Sequence, residues 1–122
     1  AATQMVNRVL GSVLPKSETE SAAKEAELGY ENLPIYNEKA YTLYKGEGCS
    51  QCTDGYKGRT GIYEVFELNE AMERLLVARA TTTEIQKQAY ADGMVSMQQD
   101  GLLKVLVGTT TLEEVSRVAS DY

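Results

Sequence analysis

Apolar residues recur every three or four positions through the second half of the chain, the spacing typical of amphipathic helices. From residue 69 onward the pattern predicts four short helices, at about 70–79, 82–92, 97–107 and 111–119. Capping pairs mark three helix starts, namely Thr81 with Glu84, Ser96 with Gln99 and Thr110 with Glu113. Gly93 and Gly108 stand where helices should end. We expect these helices to pack on one another as a C-terminal bundle.

Two helical segments precede the bundle. Residues 1–10 place an apolar face along one side of a helix that has no start signal, as if it were the end of a longer element. A capping box of Ser17 and Glu20 then predicts a second helix that ends near Gly29. This acidic helix has a weak apolar face, and Ala22, Ala26 and Leu28 are its expected buried side.

The period changes to two between Tyr41 and Leu68, after a connector over residues 30–40. Tyr41 and Leu43 alternate before the Cys49 and Cys52 turn, and Ile62, Val65 and Phe66 follow it. β-Branched and aromatic residues in this pattern favour short antiparallel strands. The predicted fold is therefore α+β: a short β-hairpin that carries the cysteine turn, a peripheral acidic helix and the C-terminal bundle of four short helices.

Composition limits the functions that this chain could have. It has 122 residues and a net charge of -6, with 12 basic residues that are dispersed along the sequence. Nucleic-acid binding needs clustered lysine and arginine, so we expect no nucleic-acid partner. No apolar run approaches the roughly 18 residues that span a bilayer. We expect a folded cytoplasmic protein.

Cys49 and Cys52 are the only cysteines, and the chain has no histidine. Their Cys-x-x-Cys spacing presents two thiolates to one zinc ion, but a structural zinc site has four ligands. Three interpretations stay open: half of a zinc site, a redox-active pair, and a turn with two free thiols. A redox pair normally has a helix N-terminus that lowers one thiol pKa, whereas loop and strand are predicted here.

The sequence contains no catalytic signature. It lacks the Gly-x-x-x-x-Gly-Lys-Ser/Thr loop that cradles phosphates, and no carboxylates form a recognisable acid–base pair. Glu64, Glu67 and Asp100 are therefore predicted to be surface charges, and we assign no catalytic or cofactor-binding residue. Lys57 and Arg59 lie between glycines, and they either hold a neighbouring subunit surface or are merely two exposed cations.

Gly101 is a glycine inside a predicted helix. Glycine in a helix interior is less favourable than alanine by about 1 kcal/mol. We expect a neighbouring backbone to approach closely at this position, because such an approach would explain why a residue without a side chain is tolerated there.

Three segments together resemble the C-terminal part of the type II secretion and type IV pilus assembly ATPases. They are Cys49-Ser-Gln-Cys52, the run Gly-Tyr-Lys-Gly-Arg-Thr-Gly-Ile-Tyr-Glu at 55–64, and the tail at 99–115. The resemblance implies three parts: residues 1–14 as the tail of an upstream ATPase core helix, 15–68 as a degenerate zinc-ribbon-like subdomain, and 69–122 as a helical subdomain.

The resemblance also implies a function. Members are hexameric motors whose ATP and magnesium sites lie upstream of this region, so the chain would be a non-catalytic domain of an ATPase. It would contribute to subunit contacts and would couple ATP hydrolysis to a platform protein, peripherally at the inner membrane. Lys57 and Arg59 are the predicted interface residues. The alternatives are a freestanding protein-interaction module and a thiol redox or zinc-binding protein.

The chain departs from this family at its metal site. Similar proteins carry a second Cys-x-x-Cys that completes a tetracysteine zinc site, and that pair would fall at Gly11 and Leu14. Neither residue binds metal. The resemblance thus leaves Cys49 and Cys52 as an incomplete zinc site, and we expect apolar packing to replace the metal.

Overall fold

The computed structural model describes residues 1–36 and 40–119, and these residues form six α-helices. The helices are α1 (Ala2–Leu10), α2 (Glu18–Leu28), α3 (Glu70–Val77), α4 (Thr82–Ala91), α5 (Met97–Leu106) and α6 (Leu112–Ala119). All four helices predicted after residue 69 are present, each within two residues of the expected ends. None of the helices in the described part of the chain has the length and hydropathy needed to cross a bilayer.

The predicted β-hairpin is wrong, and with it the α+β fold class: the described residues contain no strand, and the domain is helical. Their single β-bridge joins Thr53 to Tyr56. Instead of pairing as strands, the alternating segment contacts the helices through its tyrosine side chains. The Tyr41 hydroxyl donates to Asn7 of α1, and Tyr44 lies against Gly108 after α5. Side-chain contacts with helices thus take the place of a strand ladder.

The core forms where α5 packs against both α1 and α6. Leu102 and Leu103 of α5 are fully buried against Val6 and Leu10 of α1, which confirms the apolar face predicted for residues 1–10. The Gln99 side chain adds a polar tie, because its amide donates to the Val9 carbonyl oxygen at 3.1 Å. Carbonyl groups in the last turn of a helix have no partner within that helix. The Gln99 side chain of α5 therefore supplies a hydrogen-bond partner for the last turn of α1.

Gly101 lies where α5 and α6 cross. A Cβ atom at this position would lie 2.7 Å from Cγ1 of Val115 on α6, closer than packed carbon atoms approach. The close neighbour is thus a side chain, and the predicted backbone approach is wrong. The absence of a side chain at Gly101 lets α5 and α6 come together.

Helices α3 and α4 pack against each other. Met72 and Ala89 are buried between them, apart from the main core. The Asn69 side chain accepts from the Met72 amide at the start of α3. A complete capping box of Thr81 and Glu84 starts α4, as the sequence predicts.

The other predicted caps have mixed outcomes. Ser96 and Gln99 form a complete capping box at the start of α5. At α6 the prediction is off by one residue, because Thr111 rather than Thr110 accepts from a helix amide, that of Glu114. Three consecutive threonines make this start ambiguous in the sequence. Ser17 does precede α2, but its side chain makes no cap bond.

Helix α2 lies at the periphery and has no buried residue. Ala22 and Ala26 are exposed, so their predicted burial is wrong, whereas Leu28 is half-buried against the core. A cavity of about 400 Å³ lies between α2 and the loop before α5. Gly29 ends the helix in the left-handed conformation, as predicted.

We expect Gly101→Ala to lower the free energy of unfolding by about 1–3 kcal/mol, because the added methyl overlaps Val115. Urea denaturation measures this change. Val115→Ala removes the overlapping methyls, so Gly101→Ala should be much less damaging in that background. A more stable Gly101→Ala single variant, as helix propensity alone would give, would contradict the proposed contact.

Candidate functional site

The cysteine turn is closed by a disulfide between Cys49 and Cys52. The Cys52 amide donates to the Cys49 carbonyl oxygen at 3.1 Å, and a tight turn from Thr53 to Tyr56 follows directly. Gly46 supports the turn from behind: a Cβ there would lie 2.4 Å from the carbonyl oxygen of Gly55. Only glycine fits this backbone-to-backbone contact.

Tyr56 connects the cysteine turn to the helical core. Its hydroxyl is hydrogen-bonded to the Thr111 hydroxyl at 2.5 Å. Thr111 also accepts from the Glu114 amide at the start of α6. The cysteine turn and the first turn of α6 therefore share one threonine, and their positions are linked.

A second link is a buried polar cluster around Asp100 of α5, whose exposed fraction is 8%. Lys104, one helical turn later, donates to the Asp100 carboxylate at 2.7 Å and to the Tyr30 hydroxyl at 2.7 Å. The Tyr30 hydroxyl donates to the other carboxylate oxygen. The Tyr63 amide donates to the carboxylate at 2.8 Å. Asp100 thus joins three parts of the chain.

The pKa shifts in this cluster follow from burial and pairing. Burial alone would raise the pKa of Asp100, but hydrogen bonds from Lys104, Tyr30 and the Tyr63 amide outweigh it and lower that pKa below its usual 3.8. Burial would lower the pKa of Lys104, yet its bond with Asp100 raises it. The pKa of Tyr30 is raised, first by burial and then by its bond with Asp100. Asp100 and Lys104 are therefore an ion pair at neutral pH.

The predicted interface residues, Lys57 and Arg59, lie on the exposed segment that follows the cysteine turn. Lys57 donates to the side-chain oxygen of Gln51 at 2.6 Å. Arg59 has no hydrogen bond or ion pair within residues 1–36 and 40–119. Both line a cavity of about 460 Å³ between segment 56–62 and residues 109–118, which we call the basic groove.

The carboxylates that the sequence places on the surface divide into two groups. Glu64 and Glu67 are exposed, and Glu64 accepts from the amide of Met97 at the start of α5. Asp100 is buried, so its predicted surface position is wrong. An aspartate four residues before a lysine on a helix is a recognisable pairing signal. Tyr30 is far away in sequence, so its part in the cluster could not be found.

A tetracysteine zinc site does not fit this chain. Within the described residues, no group of three or more cysteine, aspartate, glutamate or histidine side chains could hold a metal ion. Leu14, where the resemblance puts a second cysteine pair, is buried in the apolar core, and the Tyr36 ring lies against Gly11. Metal binding by Cys49 and Cys52 stays a prediction. It requires the reduced thiols, since zinc binds thiolates.

Comparison with known proteins identifies the family. The model of the family described as "Type II/IV secretion system protein" matches residues 4–117. The chain therefore belongs to this family, which confirms the resemblance.

Its curated relatives include both pilus and secretion proteins. A type IV pilus assembly ATPase PilB from Pseudomonas aeruginosa is 36% identical over 95% of this chain and 21% of its own length. PilB from Thermus thermophilus is 46% identical over 60% of the chain and 8% of its own length. A type II secretion system protein E from Xanthomonas campestris is 42% identical over 65% of the chain and 14% of its own length. The chain thus spans about a fifth of these relatives, or less.

We expect Asp100→Asn to lower the free energy of unfolding at neutral pH by about 3 kcal/mol, because it leaves the Lys104 charge half-buried without its partner. Chemical denaturation measures this loss. Tyr30→Phe removes one hydrogen bond and serves as the milder control, at about 1 kcal/mol. Equal effects of the two variants would contradict a central role for the carboxylate.

The stability of the wild type should depend on pH through the same cluster. Because the folded-state pKa of Asp100 is lowered, its contribution is complete above the usual value of 3.8 and is lost as pH falls through the folded pKa. The raised pKa of Lys104 gives the opposite dependence, with stability lost as pH rises through its folded value. Asp100→Asn should flatten the acid limb of stability against pH. An unchanged acid limb would contradict this assignment.

We expect the double substitution Cys49→Ser and Cys52→Ser to lower the free energy of unfolding by no more than about 2 kcal/mol, since the disulfide closes a very short loop. Thermal unfolding measures the change. Zinc in the reduced wild type is assayed by mass spectrometry. Stoichiometric zinc together with a loss nearer the roughly 10–16 kcal/mol of structural zinc sites would contradict the absence of a complete site.

Proposed function

We infer that this chain is the non-catalytic C-terminal domain of a secretion or type IV pilus assembly motor ATPase. The observation that carries the inference is the family match across residues 4–117, together with relatives named as assembly ATPases. The domain contributes to contacts between the subunits of a hexamer and couples ATP hydrolysis to a platform protein at the inner membrane. Its own location is cytoplasmic, at the membrane through partners.

The chemistry of the chain supports a non-catalytic role. The sequence has no Gly-Lys dipeptide, so it has no phosphate-binding loop of the kind that ATPases use. Its best-formed polar cluster, around Asp100, is fully paired within the domain. ATP and magnesium would therefore bind in the remaining four-fifths or more of a protein with the length of these relatives.

An exposed apolar segment supports contact with that larger part. Tyr63, Val65, Phe66 and Leu68 are all exposed, and Val65 is 75% accessible. Contiguous apolar side chains at a surface are typical of sites that another protein surface covers. The Tyr63 amide donates to Asp100, and the Glu64 carboxylate accepts from the Met97 amide, so α5 holds the first residues of the segment in place.

The Cys49–Cys52 disulfide is the one observation that bears on the redox alternative, and its surroundings do not favour it. A thiol redox protein would place its reactive cysteine at a helix N-terminus, whereas the next described helix after Cys52 begins at Glu70. A freestanding module would not need to resemble assembly ATPases over nearly its whole length. The proposed boundaries at residues 14 and 68 are those of the sequence analysis.

We expect Val65→Lys to reduce ATP hydrolysis and hexamer formation in the natural full-length protein, because it puts a charge into the apolar segment. The same substitution should leave the melting temperature of the 122-residue chain unchanged, since Val65 is exposed. Phosphate release and native mass spectrometry measure the two effects.

The matched control is Val77→Lys, at an equally exposed valine on α3 outside the segment. It should change neither property. The isolated chain should release no phosphate from ATP. Hydrolysis by the isolated chain, or wild-type behaviour of full-length Val65→Lys, would contradict the proposed role.

A further inference from the structure

The basic groove gathers cations on a chain that is acidic overall. The net charge of the chain is -6, yet Lys57, Arg59 and Arg117 line this one groove with a single carboxylate, that of Glu114. Arg117 is already paired with Glu114, its Nε donating at 3.2 Å. Lys57 contacts only a neutral glutamine, and Arg59 has no partner among the described residues. Two uncompensated positive charges therefore face the groove.

The walls of the groove are partly apolar. Ile62 is half-buried, and Val118 of α6 is 48% exposed. Threonine side chains complete the rim. An occupant that fits this lining has carboxylates to meet Lys57 and Arg59 and small apolar side chains to meet Ile62 and Val118. An acidic helix that exposes small apolar side chains has this chemistry.

Helix α2 of the same chain has these properties. Its 11 residues contain four glutamates and one lysine, and it exposes Ala22, Ala23 and Ala26. Glu18, at its first turn, is exposed and has no ion pair or hydrogen bond in the described part of the chain. Within the described chain α2 is held mainly at its C-terminal end, by Leu28 against the core and by Glu25, which accepts from the Leu33 amide, so its first turns are open to a partner.

We propose that the basic groove of one subunit receives α2 of a second copy of this chain. The contact joins two different surfaces, so it is heterologous, and repeated contacts of this kind close into a ring when the rotation allows. Arg59 would pair with a glutamate near the start of the neighbouring α2, and Lys57 would add a second charge contact. This inference rests on the proposed function and names the surfaces through which the subunits touch.

The test is a charge exchange in the natural full-length protein. Arg59→Glu and Glu18→Arg alone should each weaken self-association about tenfold, since each loses one pair and sets like charges together. Combined in one chain, they should largely restore association, because the pair between positions 59 and 18 then forms again with its signs exchanged. Sedimentation velocity measures association, and higher salt should weaken the wild-type contact.

Lys87→Glu is the matched control. It makes the same change in net charge at an exposed lysine on α4, away from the groove. The melting temperature of each variant checks that folding is intact, which is expected because both exchanged residues are exposed. If Arg59→Glu behaves like Lys87→Glu, the groove is no subunit contact and the inference falls.

Two further outcomes separate this inference from the proposed function. If Arg59→Glu weakens association and Glu18→Arg does not restore it, α2 is not the occupant, while the role as a subunit-contact domain stands. If the wild-type protein stays monomeric with ATP and magnesium, the hexameric motor function fails and this inference fails with it. Restoration by the double exchange supports both.

Discussion

The buried carboxylate of Asp100 is the interaction on which the arrangement of this domain depends. It receives bonds from Lys104 on its own helix, from Tyr30 after α2 and from the Tyr63 amide of the extended segment. Removing one member of a buried ion pair leaves an unpaired charge. A different packing that separated Asp100 from Lys104 would therefore be unfavourable. The peripheral parts of the chain have little apolar core of their own. Their positions relative to α5 are fixed by charge and hydrogen bonds.

How far the sequence predicts the fold depends on how local each signal is. Helix α4 was predictable because Thr81 and Glu84 cap it and the apolar spacing agrees with the caps. The segment from Tyr41 to Leu68 misled because its alternation is real but no strand partner lies nearby. Its tyrosines bond to Asn7 and Thr111 instead, contacts that span 34 and 55 residues. Of the residues in the two-residue pattern, Tyr41, Leu43 and Ile62 are half-buried against the core, whereas Val65 and Phe66 are exposed.

The candidate site was predictable in part for the same reason. The glycine-flanked Lys57 and Arg59 lie on the surface at the edge of a groove, and their place in an interface stays a prediction. The other wall of that groove comes from α6, about 50 residues later, and no local pattern indicates it. The burial of Asp100 was missed because two of its three partners, Tyr30 and the Tyr63 amide, are on distant segments. Polar contacts between residues far apart in the sequence produce no repeating pattern from which they could be predicted.

The absence of a second cysteine pair fits this dependence on polar contacts. A tetracysteine zinc site would hold the cysteine turn to the end of α1 by metal bonds. Here Leu14 and the ring of Tyr36 fill that end with apolar packing, and the bond from Tyr56 to Thr111 moves the anchor of the turn to α6. Because α6 also forms a wall of the basic groove, the turn and the groove are held by the same helix. Val115 of α6 both lines the groove and packs against Gly101 of α5, so the groove wall and the core share this side chain.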